Sequence, residues 1–116
     1  MEQKIIFYTF LTLFLFILVI SIVNTKPDIQ GYIMEVQGNR ILLAEGIPFK
    51  KYEEIKGKTV EDIDKNEENI SLIYLIYSGK QKLEKGDNIK VWTKGGIDQS
   101  YPAQGYAKKI KVIINE

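Results

Sequence analysis

Hydrophobic and polar positions divide the chain into two unlike parts. Residues 5–23 read IIFYTFLTLFLFILVISIV, nineteen residues without a charge. At 1.5 Å rise per residue a helix of that length reaches roughly 28 Å, close to the ~30 Å hydrocarbon core of a bilayer. It is apolar on every face and too long to serve as the core helix of a small domain. The pattern therefore predicts a single N-terminal transmembrane helix. A cleaved signal would have a shorter apolar region and small residues before the cut, and Val19 and Ser21 make a poor site of that kind. An uncleaved anchor over 1–23 is expected. Lys4 and Lys26 flank it almost evenly, so the short N-terminal head decides orientation, with the N-terminus inside and the C-terminal domain extracytoplasmic. The expected location is the cell membrane, single-pass, with the bilayer as a partner through residues 5–23.

Beyond a linker at 24–30, which carries Lys26-Pro27-Asp28, the period changes to two. Residues 31–37 alternate, Gly38-Asn39 signals a turn, and residues 40–45 return as a second strand. Phe49, Tyr52 and Ile55 recur at three-residue spacing, which predicts a short helix that Gly57 ends. Residues 60–69 are acidic and loop-like, with room for one more helical turn. Residues 70–77 form a near-continuous run of β-branched, aromatic and leucine side chains, the mark of a central strand. Residues 88–94 alternate strictly, and Gly95-Gly96 reads as their end. A loop follows over 97–105 and a last strand over 106–114, with Ile110, Val112 and Ile114 on one face. The expected fold is mainly β: a small five-stranded OB-like barrel over 31–116 with one short helix. Closure spares so thin a domain its exposed sheet edges. The helix signal falls between the second and third strands, whereas the regular OB-fold places its helix between the third and fourth.

Composition removes whole classes of chemistry. The chain has no Cys and no His, which excludes disulfides, zinc–thiolate sites, thiol nucleophiles and imidazole bases. Sixteen Lys plus Arg stand against fifteen Asp plus Glu, so net charge provides no argument for nucleic acid, and none is expected as a partner. No cofactor is expected. A hydrolase would need paired carboxylates, and nothing sets two of Glu35, Glu45, Glu53 and Glu54 across a cleft. The protein is expected not to be an enzyme.

Four stretches carry a family resemblance: Gly31-Tyr-Ile-Met-Glu-Val-Gln-Gly38, Tyr52-Glu-Glu-Ile-Lys-Gly-Lys58, Lys85-Gly-Asp87 with Val91-Trp92, and Ser100-Tyr-Pro-Ala-Gln-Gly105. Over about residues 30–114 the chain resembles the YobA-like family, small proteins of Gram-positive bacilli grouped under a domain of unknown function. The resemblance implies an extracytoplasmic OB-like barrel and brings no activity or site residues. Many members look like exported lipoproteins, whereas this chain lacks the Cys that lipidation needs.

Two local motifs fail on inspection. Gly57-Lys58-Thr59 ends like a phosphate-binding loop, but Tyr52 stands where the first Gly belongs. Asp62-x-Asp64-x-Asn66 begins like a calcium loop, but Glu67 and Ile73 occupy the Gly and bidentate Glu positions.

One surface feature survives. Lys90, Trp92 and Lys94 share the face of their strand opposite Ile89, Val91 and Thr93, and Lys109 and Lys111 lie opposite the apolar face of the last strand. Paired, these strands would surround the one Trp with four lysines, a combination suited to an anionic polymer. Alternatively Trp92 covers the barrel end or packs under the 97–105 loop. Tyr101 is either part of an exposed recognition loop or a plug in the barrel. The expected function is a membrane-anchored extracytoplasmic module binding a cell-envelope polymer or a partner protein. The alternative is a structural or regulatory partner of a membrane protein, acting through the apolar helix.

Overall fold

The computed structural model describes residues 6, 8–15, 26–67 and 69–114. Its centre is a closed barrel in the order β1-β2-β3-β5-β4. The strands are β1 (Ile29–Gln37), β2 (Arg40–Glu45), β3 (Ser71–Tyr77), β4 (Asn88–Asp98) and β5 (Ala103–Val112). All neighbours are antiparallel except β3 and β5, which are parallel because β4 intervenes in the chain. The β1–β2 hairpin turns through Gly38-Asn39, where Gly38 takes a φ of 59°, a conformation most side chains resist.

Two short helices, α1 (Phe49–Ile55) and α2 (Val60–Asn66), fill the β2–β3 connection. The single-helix expectation is thus corrected. The acidic run after Gly57 forms a helix because the Thr59 side chain caps it, accepting the Asp62 backbone N–H at 3.1 Å, with Glu61 and Asp62 in the first turn.

The molecule has two cores. Ile29, Ile33, Ile41, Leu43, Ile73, Leu75, Ile89, Val91 and Ile110 fill the barrel. Outside it, Tyr32, Met34, Leu42, Ala44 and Leu72 meet Tyr52, Ile55 and Ile63 from the helices. This explains a contrast in the sequence. The strands β1, β2 and β3 carry consecutive apolar residues because both faces are covered. The strands β4 and β5 alternate because their outer face is open to solvent.

Glu67, capping the C-terminus of α2, ties the helices together. Its carboxylate accepts from Lys51 Nζ and Lys58 Nζ, both at 2.6 Å. Lys51 first and Lys58 second hold its pKa down at about 2, well below its ordinary 4.5. A depressed carboxylate stabilises the fold above its unfolded pKa, and that contribution is lost as pH falls through the folded value. Wild type should therefore exceed Glu67→Gln in urea midpoint near neutral pH. The difference should shrink below about pH 4.5 and vanish below about pH 2; a gap independent of pH would contradict the bridge.

The expected membrane span is corrected. No helix among the described residues is long and apolar enough to cross a membrane. Within 5–23 the described helical residues are 6 and 8–15. The other residues of that expectation lie outside the described ones. The single-pass anchor, the bilayer as partner, the cell-membrane location with an extracytoplasmic domain and the helix-mediated alternative are withdrawn with it.

Candidate functional surface

The strand β4 follows β1 on one side and β5 on the other, and its register with β5 decides which side chains meet. Lys90 pairs with Lys111 and Trp92 with Lys109. Directly opposed residues share a face, so these four project outward together. A register shift follows between Trp92 and Thr93, after which Lys94 pairs with Tyr106. The bulge is pinned from the barrel end. Asp28, just before β1, accepts the Thr93 backbone N–H at 2.7 Å and the Thr93 hydroxyl at 3.0 Å. Those two donors, the backbone first, hold the Asp28 carboxyl below its usual range.

Trp92 is half-buried on this outer face, and the Lys109 ammonium lies 4.8 Å from its ring centroid. Lys94, Lys109 and Lys111 are exposed and Lys90 is half-buried. The helices α1 and α2 pack over β1, β2 and β3 and not over this surface. From Lys90 to Lys94 it runs about 13 Å along the strand at ~3.3 Å per residue.

Of the six residues singled out in the sequence, the fold brings five together: Lys90, Trp92, Lys94, Lys109 and Lys111. Tyr101 is elsewhere. Its hydroxyl donates to the Ile70 carbonyl at 3.4 Å, beside the start of β3, and its ring is 48% exposed, so it does not plug the barrel. Burial, and then the charge of Asp64, raises its pKa. It lines a cleft of about 630 Å³ at the barrel end, with Asp28, Glu45 and Ser100.

The carboxylates considered for hydrolysis are dispersed. Glu53 pairs with Lys56 at 2.7 Å and Glu54 with Lys51 at 3.4 Å, while Glu35 accepts from the Gln37 amide at 2.6 Å. Asp62 and Asp64 lie within α2 rather than in a loop, and no group of three metal-ligating side chains occurs among the described residues.

Sequence reasoning missed the continuation of this face. It took Gly95-Gly96 as a strand end, but β4 runs through to Asp98 and β5 starts at Ala103. Tyr106, Gln104 and Asp98 thereby join the outer surface. The resumption of an apolar residue at Ile97, packed against the barrel core, is the signal that was there to find.

The family described as "Protein of unknown function (DUF3221)" matches residues 30–114. Among curated proteins none matches the chain. Among solved structures, a yobA protein from Bacillus subtilis subsp. subtilis str. 168 is similar, with 17% identity and a TM-score of 0.51. The match covers 78% of this chain and 100% of that one. At that identity the likeness speaks to the fold.

Proposed function

The chain belongs to the DUF3221 family, and from the open side of its barrel we propose a non-catalytic binding module for an anionic polymer. The observation that carries this is the pairing of Trp92 with Lys109 and of Lys90 with Lys111 on a face the helices leave uncovered. The indole offers a flat surface for a ring of the polymer, and the ammonium groups offer charge on both sides of it. Binding is proposed because the face sets an indole among positive charges, which suits recognition of a charged chain.

The chain has one Trp, so its emission reports on this face. Titration with oligogalacturonate, a defined acidic polymer, should change Trp92 emission to saturation. Raising salt from about 20 to about 200 mM should weaken the affinity at least tenfold, because exposed charges are screened. The combined K90A, K94A, K109A and K111A variant should lose binding. Unchanged emission together with no retention on the immobilised polymer would refute the proposal, as would binding indifferent to salt and to the lysines.

A further inference from the structure

We infer that the acidic polymer is a polysaccharide, and that a hollow beside the lysine–tryptophan face holds one of its pyranose rings. The inference rests on the anionic-polymer reading and specifies its ligand. The ladder sets one row of outward residues across four strands: Arg40 pairs with Ile76, Ile76 with Tyr106, and Tyr106 with Lys94. At ~4.8 Å between strands the row is about 14 Å wide. It has cations at both ends and an apolar, aromatic middle. The next row continues Tyr74 to Gln104 to Asp98.

Between these rows lies a hollow of about 330 Å³, lined by Arg40, Tyr74, Ile76, Asp98, Gln104 and Tyr106. It exists because β4 leaves its ladder with β5 between Lys94 and Asp98, where Gly95 and Gly96 contribute no side chains. The volume is that of a small-ligand site.

The lining distinguishes a sugar from a bare polyanion. Tyr106 is 58% exposed and lines the hollow. An aromatic face is electron-rich, and the C–H face of a pyranose is weakly positive, so the two stack. Tyr74 is the wall behind, with the Arg40 guanidinium 4.5 Å from its centroid. Arg40 is further held by a 2.8 Å hydrogen bond to Gln37 Oε1. Asp98 is the deciding residue. A carboxylate repels an anionic group but accepts hydrogen bonds from hydroxyls. Asp98 Oδ1 accepts the Ser100 N–H at 3.2 Å, and among the described residues Oδ2 has no hydrogen-bond partner. The exposed Gln104 amide beside it can donate and accept. Hydroxyl-binding groups thus occupy the hollow and cations surround it, as a polymer of hydroxylated rings bearing spaced anionic groups requires.

The test compares two carboxylate polymers of equal charge number, oligogalacturonate and polyglutamate, with a hyaluronan oligosaccharide as a second acidic glycan. The full chain is titrated with each by Trp92 emission. Both glycans should bind at least tenfold tighter than polyglutamate. Tyr106→Ala should bring them down to the polyglutamate level while leaving polyglutamate binding unchanged. Asp98→Asn should act in the same direction, and far-UV circular dichroism checks that both variants remain folded. Equal affinity for all three polymers, or a Tyr106→Ala loss shared by polyglutamate, overturns the pyranose site and leaves the anionic-polymer reading standing. No binding of any of the three overturns both.

Discussion

Gly31→Ala should destabilise the barrel by about 2–3 kcal/mol or more, although alanine in a strand ordinarily gains about 0.5–1 kcal/mol over glycine. The sign follows from the close approach of β1 to β2. A Cβ on Gly31 would collide with the Ala44 carbonyl oxygen and stand 2.9 Å from its carbonyl carbon. The obstacle is backbone, so no rotamer change relieves it. Gly31 also pairs with Glu45 on β2 and with Ile89 on β4, so β1 cannot shift without disturbing the seam that closes the barrel. Urea unfolding decides the matter through its midpoint at constant slope. A midpoint equal to or above that of wild type would mean that the two strands are farther apart than described.

Leu43→Ala should cost about 3–5 kcal/mol, the upper part of the range for buried leucines. Leu43 is fully buried inside the barrel, in register with Ile33 on β1 and Ile73 on β3. Backbone ladders on both sides hold β2 in place, so the cavity left by truncation cannot collapse. Set against the ~5–15 kcal/mol that holds a typical domain together, the loss should lower the melting temperature by more than about 12 °C. Lys94→Ala, on the exposed face, should stay within about 0.5 kcal/mol of wild type. A Leu43→Ala shift no larger than that of Lys94→Ala would place Leu43 outside the core.

These two residues show how unevenly the fold could be read. Leu43 lies in the apolar run Ile41-Leu42-Leu43-Ala44 of the second expected strand. Gly31 read only as the beginning of an alternating strand, because close approach of two backbones leaves no trace in side-chain pattern. The second helix was visible as no more than a possible turn, since its acidic face resembles a solvated loop until Thr59 is seen to cap it.

The membrane span is the largest correction. Nineteen uncharged residues meet the hydropathy criterion, whereas among the described residues no helix is long and apolar enough to cross a membrane.

The sequence by itself determined the strand count, the hairpin at Gly38-Asn39, the placement of helix between β2 and β3, and the outward stripe of Lys90, Trp92 and Lys94. All of these follow from local periodicity and turn chemistry, which act over a few residues. The tertiary structure alone decided that Lys109 stands against Trp92, that β4 continues beyond its glycines, and that Arg40, Tyr106 and Lys94 fall in one row. Those depend on register between strands distant in sequence. Register is set by how bulges and the buried faces of all five strands fit together at closure, and no single strand encodes it.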